Sequence, residues 1–102
     1  MNRTYTTALV LEAIACGYHY GFDVMDVTGL PSGTVYPALR RLEEEAFVRS
    51  RWERAAVARE EGRPPRRYYE VSAAGEKWLA EARRQFHRLE HAVPPKLRPA
   101  EG

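Results

Sequence analysis

Pro37 constrains this chain more than any other single residue. It sits inside the run Gly33-Thr34-Val35-Tyr36-Pro37-Ala38-Leu39-Arg40-Arg41-Leu42-Glu43-Glu44-Glu45-Ala46-Phe47-Val48, which otherwise reads as one amphipathic helix leading into a strand. A proline in a helix deletes a backbone hydrogen bond, so it is tolerated only in the first turn, where amides have no intrahelical partner. The helix must therefore begin just upstream. Thr34 fits as N-cap better than Ser32, because it leaves Pro37 at the third helical position. Val35, Leu39, Leu42 and Ala46 then recur at spacings of four, three and four, which places them on one buried stripe. Tyr36 and Arg40 share one exposed flank, and Pro37 and Arg41 the next. Arg40 and Arg41 lie mid-helix, whereas Glu43, Glu44 and Glu45 crowd its C-terminal end and oppose the helix dipole. A polyanion would be drawn to the N-terminal half and repelled from the far end. That polarity suits a helix entering the major groove N-terminus first. Taken alone, the same stretch also fits a surface helix with Arg40–Glu44 and Arg41–Glu45 pairs, each worth a few tenths of a kcal/mol.

The rest of the chain reads as a mount for this helix. Residues 5 to 16 form a first helix with Tyr5, Leu9, Val10, Ala13 and Ile14 inward, capped by Thr4 or Thr6 and ended by Gly17. Tyr18 to Val27 form a short second helix with Phe22 and Met25 or Val24 inward, and Thr28 to Gly33 make a turn. Two helices joined by a short glycine-containing turn, the second with exposed basic residues, make a helix-turn-helix. Phe47 to Arg54 alternates as a half-buried strand, with Val48, Ser50 and Trp52 on one side. Arg66 to Ser72 forms a second strand, with Tyr69 and Val71 on one face. Residues 55 to 65 read as a loop too long for a tight hairpin, its tip basic and stiffened by prolines. A two-stranded hairpin is marginal alone, so it packs on the helices as the wing of a winged helix. Such a tip suits phosphates or the minor groove.

Ser72 reads as the N-cap of a final helix running to about Ala92, where Pro94-Pro95 stops it. Leu79, Ala82, Phe86, Leu89 and Val93 alternate three and four, the seam of a coiled coil. Two heptads are too few to stand alone, so the seam is expected to pair with a second copy, while Trp78 packs on its own domain. The expected fold is mainly α with a two-stranded wing. Residues 1–72 form the winged helix-turn-helix, 73–93 the dimerisation helix of the same unit, and 94–102 a disordered tail.

Charge sharpens the partner. The net charge of +2 argues little, but the segment from Arg49 to Arg67 holds seven arginines against three glutamates. The positive field is concentrated there, as for a polyanionic partner. A single cysteine, Cys16, allows no internal disulfide and reads as a small buried hydrophobe. With no basic-then-apolar leader pattern, a reducing cytoplasm is expected. No apolar run approaches the roughly 20 residues needed to span a bilayer, so no membrane partner is expected. His19 lacks ligands at metal spacing, and His87 with His91 lacks a third, so no metal or cofactor is expected. There is no nucleophile and base pair or phosphate loop either, which speaks against an enzyme.

Three motifs together, Tyr20-Gly21-Phe22, Gly33-Thr34-Val35-Tyr36-Pro37-Ala38-Leu39-Arg40-Arg41-Leu42-Glu43, and Gly62 through Gly75 with its Arg67-Tyr68-Tyr69 core, resemble the PadR family of bacterial transcriptional regulators. With Trp52, the likeness covers nearly the whole chain up to about Phe86. It implies a winged-helix dimer, usually a repressor, of the short subclass with one C-terminal helix. Ala46 stands where the family commonly has glycine. The resemblance implies that Thr34, Tyr36, Pro37 and Arg40 lie on the recognition helix and Arg63, Arg66 and Arg67 on the wing; with the neighbouring Ser32 and Arg41 they make the expected DNA-contacting set. Leu9, Trp78, Leu79, Ala82, Phe86, Leu89 and Val93 form the dimer and effector face, where members of this kind can hold a small flat aromatic ligand. The implied function is a homodimeric, sequence-specific regulator of double-stranded DNA that reads an inverted repeat. The alternative is a winged-helix protein-interaction module without DNA binding.

Overall fold

The computed structural model describes residues 2–96. Helix α1 (Tyr5–Ala15) is the centre of the molecule: seven of its residues, from Thr7 to Ile14, are buried, and α2 (Gly21–Thr28), α3 (Ser32–Glu44), α5 (Ala73–Gln85), α6 (Leu89–Ala92) and strand β2 (Arg67–Val71) all touch it. Its ends are encoded locally. Thr4 Oγ1 accepts from the Thr7 amide at 3.2 Å. Gly17, at φ +104°, closes the other end, with its own amide on the Ile14 carbonyl and the Tyr18 amide on the Ala13 carbonyl, both 3.0 Å. Because α1 is surrounded, its apolar stripe is wider than its spacing suggests. Tyr5 and Leu9 fall at the edge, Tyr5 exposed and Leu9 half-buried. Phe22, expected inward, is also exposed; Val24 holds the inner face of α2.

Gly29 ends α2 in the left-handed region (φ +73°), and three residues later α3 begins. The start of α3 differs from the sequence expectation. Pro31 is the N-cap, and its carbonyl accepts from the Thr34 and Val35 amides at 2.9 and 3.0 Å, so Thr34 lies inside the helix and not at its cap. Pro37 is thus within the helix, one turn deeper than a first-turn proline. Its missing amide falls opposite Gly33, which is exposed, so water can serve the Gly33 carbonyl that the proline leaves without a donor. Val35, Ala38, Leu39 and Leu42 are the buried stripe. Ala46 is not part of it: the helix ends at Glu44, and Ala46 turns the chain at φ +61°, exposed.

Strands β1 (Val48–Trp52) and β2 pair antiparallel with Val48 opposite Val71 and Trp52 opposite Arg67. Of the expected inner face of β1, Val48 is buried and Trp52 is exposed, because the hairpin leaves the helices as it extends. The other edge of β2 is partly covered by the segment before α2, through a Tyr20–Tyr68 bridge and the Tyr69 amide on the His19 carbonyl at 2.8 Å. The expected loop between the strands contains a short helix, α4 (Ala55–Glu60), which buries Ala58.

The C-terminal segment departs most from expectation. The helix breaks at Phe86 (φ −116°, ψ 92°), and α6 folds back onto α1. Leu79, Ala82, Leu89 and Val93 are fully or almost fully buried inside their own chain, so they do not form a free seam. Heptad spacing specifies a stripe to be buried and is silent on what buries it; here α1 does. A buried carboxylate on α1, Glu12, locks the arrangement by accepting from Arg83 Nε at 2.9 Å and Nη2 at 3.0 Å. Trp78 packs on its own domain as expected, its ring 5.6 Å from Phe47. Of the expected disordered tail, Pro94 to Lys96 are held: the Lys96 amide donates to the Cys16 carbonyl at 2.9 Å, and the Tyr18 hydroxyl to Pro94 O at 3.0 Å. Residues 97–102 lie outside the described residues. Cys16 is half-buried beside Glu12, and burial and that carboxylate push its thiol up to about 11, which suits a packing role.

Candidate nucleic-acid interface

The outward side of α3 carries Ser32, Tyr36, Pro37, Arg40 and Arg41, all exposed, with Thr34 half-buried beside them. Tyr36 is positioned by α2: a Cβ added to Gly21 would lie 2.7 Å from its ring, so the tyrosine leans on the one residue that leaves it room. Arg40 and Arg41 have no ion pair among the described residues, and neither i,i+4 pair with Glu44 or Glu45 forms. Tyr36 and Arg40 instead open into a shallow cavity shared with Glu43, Arg67 and Tyr69. Burial raises the Tyr69 hydroxyl above its ordinary range, so it stands there as a neutral donor.

The three wing arginines are placed differently. Arg67 Nε donates to Ser50 Oγ at 2.8 Å, its Nη2 reaches Glu43 Oε1 at 3.2 Å, and its guanidinium lies 5.3 Å from the centre of the Trp52 ring. Ser50 Oγ donates to the other oxygen of Glu43. Glu43 belongs to α3, so this cluster ties α3 to the hairpin. Arg63 grips Glu53 with both terminal nitrogens, one of them at 2.9 Å, and Arg66 lies 4.1 Å over the Tyr20 ring with a nitrogen 3.7 Å from the same Glu53. Hydrogen bonds from Arg63 hold the Glu53 carboxyl below the ordinary carboxylate range, and the same bonds raise Arg63. The charges of Arg63 and Arg66 are therefore partly offset from within.

Sequence reasoning assembled the exposed flank of α3 and missed Glu43, Ser50, Glu53 and Tyr20 as residues that hold the site. The signal available was a carboxylate embedded in an arginine-rich run. Arg54 and Arg59 on the wing, absent from the expected set, are exposed and free of ion pairs among the described residues. Among the described residues no group of three or more His, Cys, Asp or Glu is arranged to hold a metal. No described helix is long and apolar enough to cross a membrane.

Comparison with known proteins agrees with this architecture. The sequence profile of the "Transcriptional regulator PadR-like family" matches residues 10–81. No curated protein matches the chain. Among solved structures, a PadR family transcription regulator from hypervirulent Clostridium difficile superposes with a TM-score of 0.71 at 19% identity, covering 86% of this chain and 93% of that one. The circadian clock associated protein Pex from Anabaena gives 0.67 at 20% identity, covering 89% and 82%. A PadR family transcriptional regulator from Eggerthella lenta gives 0.61 at 26% identity, covering 79% and 73%. The family is one of transcriptional regulators and not of enzymes. With the winged helix built and most of the sequence matched, the chain belongs to the PadR-like family of transcriptional regulators.

Proposed function

We propose that this protein regulates transcription by binding double-stranded DNA as a homodimer, with α3 of each copy in successive major grooves of an inverted repeat, half-sites roughly 34 Å apart. The observation that carries the reading is the exposed, ion-pair-free Arg40 and Arg41 on a helix whose opposite face is locked into the core. Arg40 reads a base edge, because a guanidinium matches guanine O6 and N7 bidentately. Tyr36, propped against Gly21, shares its flank. Occupancy of promoter DNA makes the protein a repressor.

The dimer face needs restating, because most of the expected seam is internal. Tyr5, Leu9 and Phe86 are the accessible apolar residues near that end of α1, with the Tyr5 and Phe86 rings edge to face at 5.5 Å. A second copy would cover them. A flat aromatic effector between the copies would release DNA by favouring one spacing of the recognition helices over another. A gel shift with the DNA upstream of its own gene, repeated across salt concentrations, tests the reading. A sequence-selective, salt-sensitive shift is expected. No such shift at any protein concentration would overturn it and favour a winged-helix protein-interaction module.

A further inference from the structure

The wing tip holds two guanidiniums aimed at one carboxylate. The Glu53 side chain is only 7% exposed, and it sits where the chain leaves β1, facing the point where it returns to β2; its backbone amide donates to the Arg66 carbonyl at 2.7 Å. Arg63 meets it with a fork of two hydrogen bonds, the geometry a guanidinium would use on a phosphate. Arg66 approaches the same oxygen more loosely, at 3.7 Å, and its Nε is buried against Tyr20 with no acceptor. The exposed Glu61 also lies 3.7 Å from Arg63 Nε, so the two guanidiniums meet one buried carboxylate closely and one exposed carboxylate loosely. Arg66 is thus held less firmly than Arg63 and is the guanidinium better able to turn to another acceptor.

Resting on the DNA-binding reading above, we propose that Glu53 is a built-in competitor for DNA phosphate: it holds Arg63 and Arg66 inward and so weakens the wing's sequence-independent attraction to duplex DNA. Non-specific affinity comes almost wholly from phosphate neutralisation, whereas base reading belongs to α3. Restraining the wing therefore raises the ratio of specific to non-specific binding without touching the reading helix. Glu53 is a positioning residue in this scheme, acting through two arginines.

The test is the full-length protein with Glu53→Gln, which retains the size of the side chain and an acceptor for Arg63. Binding to a random-sequence duplex is measured from 50 to 200 mM salt. Each phosphate contact released should steepen the plot of log affinity against log salt by about 0.9, or about 3.5-fold more affinity lost across that range. One to two added contacts are expected, with a lower ratio of operator to random-duplex affinity. Adding Arg66→Gln to Glu53→Gln should take back about one contact, while Arg66→Gln alone should leave the slope near wild type. A Glu53→Gln protein with native melting and an unchanged slope would overturn the proposal. Should that variant fail to fold, Arg63→Gln with Arg66→Gln decides: an unchanged slope supports the proposal, and one flattened by about two contacts overturns it. A wild-type protein without salt-dependent binding would fell the DNA reading itself.

Discussion

On α3, Arg40 and Arg41 stand with open solvent around them, on a helix sealed into the core by Val35, Ala38, Leu39 and Leu42. On the wing, Arg63, Arg66 and Arg67 each meet a carboxylate and, in two cases, an aromatic ring. The two surfaces carry the same residue type and differ in what surrounds it. Basic residues counted in a sequence measure charge; only those without an internal partner measure the field offered to a polyanion. The surfaces are also joined mechanically, since Glu43 on α3 holds Arg67 on β2. A duplex that engages α3 therefore meets a wing in fixed register.

The largest expected effect removes the platform under both surfaces. A Cβ on Gly75 would lie 2.0 Å from the Phe47 carbonyl oxygen, at the point where α5 passes beneath the joint between α3 and β1. Backbone cannot yield that far, so Gly75→Ala should cost about 4 kcal/mol or more, seen as loss of a cooperative thermal transition. Retention of native melting would mean that the two surfaces do not share this support.

Next in size is the contrast itself. Arg40→Ala should weaken operator binding by about 1–3 kcal/mol and leave the melting temperature unchanged, because it removes the proposed base contact and no internal one. Arg67→Ala should do the opposite. It should lower the melting temperature by the worth of a half-exposed ion pair, about 1 kcal/mol or less, with little change in operator affinity. If both variants lose affinity equally, the two surfaces are alike and the contrast fails.

The joint between the surfaces offers a gain. Ala46 occupies the left-handed region at φ +61°, with the Phe47 amide bonded to the Leu42 carbonyl at 2.9 Å in the manner of a glycine-terminated helix. Ala46→Gly should relieve about 1 kcal/mol of strain and raise the melting temperature by about 4–8 °C. A fall in melting temperature would show that the unfolded-state entropy of glycine outweighs the strain.

The smallest effect is a pH dependence confined to the wing. The carboxyl of Glu53 titrates below its ordinary 4.5 because Arg63 bonds to its charged form. Its contribution is therefore complete above about pH 4.5 and is lost as pH falls through the lower folded value. Melting curves of wild type and Arg63→Gln should differ at neutral pH and converge in acid. A gap that persists at low pH would assign the role of Arg63 to something other than this carboxylate.

What could be read from the sequence was local. Gly17 and Ser72 mark helix ends through backbone conformation and capping, and the stripe of α3 follows from spacing alone. The proline-bearing helix follows from the sequence in outline but its start does not, because the Gly33 carbonyl left without a donor is exposed to water and Pro37 can lie deeper than the first turn. The partners of residues were hidden. Leu89 and Val93 look the same in sequence whether they bury against a second copy or against α1, and only the break at Phe86 decides. The pairing of Arg63 with Glu53 and of Arg67 with Glu43 likewise depends on how the hairpin lies over the helices, which spacing does not encode.

The most direct test is selection of bound duplexes from a random pool by the wild-type protein and by Arg40→Ala in parallel. The wild type is expected to enrich an inverted repeat with half-sites about one helical turn apart and a fixed guanine in each; Arg40→Ala should enrich the same spacing with that guanine relaxed. No enrichment by the wild type, or an identical motif from both proteins, would contradict the assignment of α3 as the reading helix.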